Sequence, residues 1–198
     1  AKKIFNDANK MLDFIEENNI VDIKGVFGIF KANSNGDNIE LYNKDKSLAA
    51  TFNLFREQRK KNKGPYLCLS DFIAPKEINK DDYLGGFIVT TGLKADEYVK
   101  KLESEGDSYN AIMLKLVYDR LAEAFAEKLH EDIRKNYWGY AKDENLSMKE
   151  IFKASYRGIR PAFGYPSLID QSQMKILFNL LNGEKVTGVK LTESYMMD

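Results

Sequence analysis

Residues 110–138, NAIMLKLVYDRLAEAFAEKLHEDIRKNYW, constrain the fold more than any other stretch. At ~100° per residue, Leu114, Val117, Leu121, Ala124 and Phe125 share one stripe of a helical wheel. The spacing predicts the longest element of the chain, an amphipathic helix. Glu123 falls ~200° from Leu121, off the stripe, and by this pattern alone is a solvated carboxylate. His130 lies on the polar face and reads as a surface histidine. Trp138, with Tyr137 and Tyr140, is expected to anchor the helix end in the core.

Upstream, residues 3–18 place Ile4, Phe5, Ala8, Met11, Leu12 and Ile15 at helical spacing. VFGIFKANSNGDNIELY reads as two strands around Asn35-Gly36, a strong turn signal. SLAATFNLF alternates and suggests a third strand, with a helix as the other possibility. YLCLSDFIA and GGFIVTTG, rich in β-branched and aromatic residues, suggest two more. REQRKKNKG reads as a solvated basic loop. Ser147-Met-Lys-Glu150 is a capping box that opens a short helix. QSQMKILFNLLNG is a helix closed by Gly183, and VKLTESYMM a last strand. A helix, strands in meander, then helices argue for an α+β fold with a mainly antiparallel sheet in a single domain, 1–198.

Composition removes several functions. Thirty basic residues balance thirty acidic ones among 198, which gives no reason to expect nucleic acid or an anionic membrane as partner. No apolar run approaches the ~18 residues that span a bilayer, and no signal-peptide pattern opens the chain. A cytoplasmic protein is expected. Cys68 is the only cysteine and His130 the only histidine. Together they leave no internal disulfide and no four-ligand zinc set. A Cys–His nucleophilic pair exists on paper, but PYLCLSDF reads as a buried strand. Neither a phosphate loop nor a dinucleotide fingerprint occurs. The chain opens on Ala1, so a piece of something longer is expected.

YRGIRPAFGYPS, residues 156–167, can be neither a regular helix nor a central strand. Pro161 pushes Arg160 toward an extended backbone. Gly164 lets a ligand approach the main chain. Tyr165 offers a flat face with a hydroxyl. The set suits a small ligand with a carboxylate and a heterocycle. It equally suits a structural connector in which Arg160 caps a helix or pairs with an acidic neighbour.

The loop resembles the R-P-A-P-G-Y-P signature of the activation domain of cobalamin-dependent methionine synthase. Other segments carry the same resemblance. ANSNGDNIELY looks like that family's A-N-S-x-G-D-D-I-E-V-Y, and FREQ its L-R-Q-Q. CLSDFIAPKEINKDDYLGGFIVTTG is close to C-L-A-D-F-V-A-P-K…D-Y-I-G-x-F-x-V-T-x-G. DSYNAIMLKLVYDRLAEAFAEKLHEDIRKNYWGYAKDENLS follows the family almost throughout, and TGVKLTES matches T-G-x-K-L-T-E-S. The resemblance covers essentially all of 1–198.

The resemblance implies a bent antiparallel sheet flanked by helices, and a domain that binds S-adenosylmethionine. That domain presents the ligand to oxidised cobalamin held by a partner domain. An electron from a flavodoxin-type donor and the sulfonium methyl then restore methylcobalamin and reactivate the methyltransferase. Motif by motif, Arg160, Ala162, Gly164 and Tyr165 match the family's R-x-A-x-G-Y contacts. Glu123 matches the glutamate of its L-A-E-A-F-A-E helix. No catalytic residue or metal ligand is implied in this chain. The resemblance also has departures. Phe163 stands where the family usually has proline, which removes a rigid dihedral and is expected to add bulk beside the site. PSLIDQSQMK lacks the histidine of P-A-C-P-x-H-x-E-K. The family's first and last segments, with an aspartate and a tyrosine that touch the ligand, have no counterpart here. One alternative is a docking module of the same fold that has lost the ligand. Another, a stand-alone enzyme of a different class, lacks the catalytic residues it would need.

Overall fold

The Asn35-Gly36 signal forms the turn it predicts. Strands β1 (Lys24–Asn35) and β2 (Asn38–Tyr42) pair antiparallel, with Asn35 opposite Asn38 and Gly36 at φ +59°. β3 (Leu48–Phe52) pairs antiparallel with β2, and the register shifts between Leu41 and Tyr42. β4 (Asp82–Thr90) flanks β1, giving the order β3-β2-β1-β4. Period-two alternation puts Ile39 and Leu41 wholly inside, with Glu40 and Tyr42 on the other face.

The computed structural model describes residues 2–197. They form two compact units. One comprises residues 2–26, 88–140 and 186–188, and the other 27–87, 141–185 and 189–197.

The first unit is helical: α1 (Lys2–Glu17), α2 (Lys94–Ser104) and α3 (Ser108–Asp132), the last continued by a π-turn at Ile133–Tyr137. Met11, Ile15, Ile20, Ala95, Val99, Ala111, Leu114 and Val117 make its core. Phe14 and Tyr98 meet edge to face at 5.9 Å. The Asp107 carboxylate caps α3: it accepts from the Asn110 side-chain amide at 2.7 Å and from the Asn110 N–H at 3.1 Å, and these, the side-chain amide foremost, hold its pKa below the usual range. Gly92, at φ +92°, sits where a Cβ would come within 2.8 Å of Asp22. Helix α2 was not predicted, because its apolar stripe is only four residues wide: Ala95, Tyr98, Val99 and Leu102.

His130 is not a surface histidine. It is 7 % exposed, and its Nδ1 lies 2.6 Å from Nη1 of Arg134, itself 0 % exposed. A guanidinium only donates, so Nδ1 accepts and the imidazole is neutral with its proton on Nε2. The wheel fails here because His130, Ile133 and Arg134 are all buried. The end of the helix is covered on more than the one face its apolar stripe marks. At that end Trp138 meets Tyr140 edge on at 5.2 Å, while Tyr137 points outward.

The second unit holds β2, β3 and most of β1 and β4, with α4 (Met148–Phe152) and α5 (Met174–Leu181). Ala32, Ile39, Leu41, Phe52, Leu54, Cys68, Ile73 and Leu168 form its core. Burying one such large side chain stabilises by about 1.5–3 kcal/mol.

Three expectations fail in this unit for local reasons. YLCLSDFIA is not a strand: the Asp71 carboxylate accepts the Cys68 N–H at 2.9 Å and turns Leu69–Phe72 into one 3-10 turn. VKLTESYMM is not a strand either. Thr192 Oγ1 accepts the Met196 N–H at 3.0 Å, and Tyr195 adopts φ +62°, which closes a turn. Helix α5 ends on Asn182 in the left-handed region, φ 50° and ψ 41°, and Gly183 instead opens α6 (Gly183–Thr187).

The basic stretch REQRKK is only partly a solvated loop. Arg56 donates to Asp71 at 2.6 and 2.8 Å, to Asp37 at 2.6 Å and to the Tyr66 carbonyl at 2.7 Å. These acceptors, Asp71 foremost, raise its pKa above the ordinary range. Glu57 is buried and pairs with Lys61.

Candidate functional site

The loop at 156–167 leaves α4 through a left-handed Ala154, φ 50°. Its entry is fixed by the predicted capping box, in which Glu150 accepts the Ser147 N–H at 2.8 Å. From Ala162 onward the segment is knit by its own backbone. The Tyr165 N–H donates to the Ala162 carbonyl at 3.1 Å. The Gly164 N–H donates to the Leu168 carbonyl, and the Leu168 N–H returns to the Tyr165 carbonyl, both at 2.8 Å. The Ser167 carbonyl accepts the Leu69 N–H at 2.8 Å, which ties the loop to the turn after Cys68.

Two side chains pin this knot. Leu168 belongs to the core of the second unit, and Phe163 packs half-buried against the same core. Phe163 therefore points inward and adds no bulk on the open side of the loop. Gly164 has φ +93°, a conformation that any L residue would strain to adopt. A Cβ there would come within 3.3 Å of Nε2 of Gln171.

Of the residues predicted from the sequence, the structure gathers Arg160, Ala162, Gly164 and Tyr165 in this one segment. Arg160 is half-buried and engaged within the protein. A guanidinium carries five N–H donors, so such engagement still leaves capacity for a carboxylate. Tyr165 presents its ring to solvent, 61 % exposed. With the Ala162 carbonyl and Gly164 N–H used internally, the groups a ligand could draw on are the Ala162 N–H, the Gly164 carbonyl and the Tyr165 side chain. Glu123 belongs to the first unit, on α3. Its side chain is 66 % exposed and pairs with Arg120 one turn back at 2.5 Å.

Sequence reasoning missed the support beneath the loop. Asp170 caps a 3-10 turn at Gln171–Gln173, accepting the Ser172 N–H at 2.9 Å. Oε1 of Gln173 accepts the N–H of Asn53, just past β3, at 2.9 Å. The only local signal was an aspartate ahead of three polar residues. The partner lies 120 residues away in sequence.

A separate cleft of about 740 Å³ in the second unit is lined by Lys175, Phe178, Asn179, Lys190, Thr192 and Tyr195, among others. None of the five predicted residues lines it. Among the described residues, no three His, Cys, Asp or Glu side chains are grouped to hold a metal, and no helix is long and apolar enough to cross a membrane.

With this fold and loop, the chain belongs to the family of vitamin B12 dependent methionine synthase activation domains, whose model matches residues 1–198 and so takes in both units. A particular relative of known structure is described as the MetH reactivation domain bound to AdoHcy. It is 46 % identical to this chain, with a TM-score of 0.93. The match covers 100 % of this chain and 61 % of that one, so the chain spans about three fifths of its relative's length.

Proposed function

We propose that this chain binds S-adenosylmethionine on the loop at 156–167 and presents it to cobalamin held by a partner domain, so that reductive remethylation restores an inactivated methionine synthase. The observation that carries this reading is the family match over residues 1–198, joined to a 46 %-identical relative described as bound to AdoHcy. AdoHcy is S-adenosylhomocysteine, the demethylated form of the proposed ligand.

The loop fits such a ligand. Arg160 would hold the methionyl carboxylate by a bidentate, charge-assisted pair. The Ala162 N–H and Gly164 carbonyl would take the amino-acid or ribose polar groups. Tyr165 would pack its exposed ring on the ligand. Glu123 is carried over from the family resemblance alone as an acceptor for the ligand; its exposed pair with Arg120 is worth only about 0–1 kcal/mol. When bound, S-adenosylmethionine supplies an electrophilic methyl, cobalamin supplies the cobalt that accepts it, and a flavodoxin-type donor supplies the electron. No side chain of this chain needs to act as a base, because methyl transfer from a sulfonium to reduced cobalt would release no proton.

Calorimetric titration with S-adenosylmethionine tests the reading. The chain is expected to bind in the micromolar to sub-millimolar range, and Arg160→Ala to lose that binding. Absence of heat with the unaltered chain would overturn it in favour of a docking module that no longer holds the ligand.

A further inference from the structure

Among the described residues, Gln171 is the one member of its turn whose side chain makes no hydrogen bond within the chain. Both neighbours are tied down: the Ser172 N–H to Asp170, and the Gln173 amide to Asp170 and to the Asn53 N–H. The turn is therefore held without help from Gln171. Gln171 is half-buried, but its amide nitrogen and oxygen are not enclosed, so both are open to a partner from outside the chain.

Its position is also specific. Nε2 stands 3.3 Å from the point where any residue other than glycine at 164 would carry its Cβ. The carboxamide thus borders the space that a side chain at 164 would occupy. The Gly164 N–H faces the other way in hydrogen-bond terms, spent on the Leu168 carbonyl. A ligand seated against Gly164 gains no donor from that backbone N–H. It meets one from Gln171 instead.

We infer that Gln171 is an additional ligand-contact residue, its amide N–H donating to a carboxylate or ribose oxygen of S-adenosylmethionine that lies against Gly164. The inference rests on the proposed function of the loop. A neutral amide suits the place: it donates as a lysine would, without setting a like charge beside a sulfonium cation. Gly164 and Gln171 then work as a pair, one clearing the space and the other lining it.

The test is S-adenosylhomocysteine titration of the unaltered chain, Gln171→Glu, Gln171→Ala, Gln171→His and Arg160→Ala, with a thermal melt of each. Gln171→Glu keeps the shape and removes the donor, so affinity is expected to fall roughly tenfold or more with the melting temperature unchanged. Gln171→Ala is expected to fall by a similar factor. Gln171→His, whose ring N–H reaches about as far, is expected to stay within about threefold of the unaltered chain. If Arg160→Ala loses binding while Gln171→Glu and Gln171→Ala bind as before, the inference fails and the proposed function stands. If Arg160→Ala binds as the unaltered chain does, or the unaltered chain does not bind, the function itself fails and the inference with it. Equal losses in all three Gln171 variants, with lowered melting temperatures, would make Gln171 structural and overturn the inference alone.

Discussion

In the helical unit the pairs Arg120–Glu123, Lys128–Asp132 and Lys135–Glu131 join residues three or four apart on one helix, and Lys115–Glu103 links α3 to the neighbouring α2. In the sheet unit, Arg56 reaches Asp37 and Asp71, Lys31 reaches Asp81, and Lys76 reaches Glu40 across 36 positions. The first kind of pair, within one helix, forms wherever a helix forms and adds a few tenths of a kcal/mol to it. The second kind exists only once distant segments have met, so it reports on tertiary structure and fixes loops in place. The candidate loop belongs to the second kind. Its support, Gln173 to Asn53, spans 120 positions.

That contrast can be broken at four places. The largest effect is expected in the cores. Leu114→Ala in the helical unit and Leu168→Ala in the sheet unit should each cost about 2–5 kcal/mol, read by urea unfolding. Only Leu168→Ala should also weaken S-adenosylmethionine binding by removing the loop's anchor. Equal affinity in that variant would mean the loop keeps its form without the anchor.

Next comes the long-range network around Glu40. Hydrogen bonds from Asn35, Lys76 and Tyr42 hold its pKa at about 2, below its ordinary 4.5. A lowered folded-state pKa contributes stability that is complete above the unfolded value and is lost as pH falls toward the folded one. Between about pH 4.5 and 2 the unaltered chain should lose on the order of 1–3 kcal/mol that Glu40→Gln never had. Parallel stability–pH curves for the two chains in that window would refute the assignment.

Gly164→Ala follows. Strain at φ +93° should cost about 1–2 kcal/mol, and a methyl pressed on Gln171 should lower affinity as well. Calorimetry on a variant that still melts cooperatively would separate the two losses. The smallest effect is expected at Glu123. Glu123→Gln removes an exposed local pair and should change stability by less than about 1 kcal/mol. Titration of Glu123→Gln with S-adenosylmethionine is expected to show lowered affinity without a matching drop in stability, and unchanged affinity would remove Glu123 from the proposed contacts.

The same division explains what could be read from the sequence. Helices α1, α3 and α5, the Asn35-Gly36 hairpin and the Ser147 capping box are short-range patterns, and each appears where its residues place it. The irregular segment that carries Arg160, Ala162, Gly164 and Tyr165 was legible because its prolines and glycines rule out a regular helix or central strand. His130 was misread because a wheel knows one helix and not what covers its end. The strands expected at YLCLSDFIA and VKLTESYMM failed for a complementary reason. Apolar content suggested pairing, but Asp71 and Thr192 bind their own backbone first. The role of Gln171 left no local trace, since its meaning depends on a glycine seven positions earlier that reaches it only through the fold.

Phe163 carries a consequence for temperature. A proline ring would hold the backbone at this position by covalent geometry, equally in the cold and near the melting point. An inward phenylalanine holds it through burial, and burial weakens on cooling and vanishes with the core on heating. The order of this loop is therefore coupled to the thermal state of the sheet unit. Its ligand affinity should pass through a best temperature, falling on either side with the hydrophobic contact that keeps the segment in place.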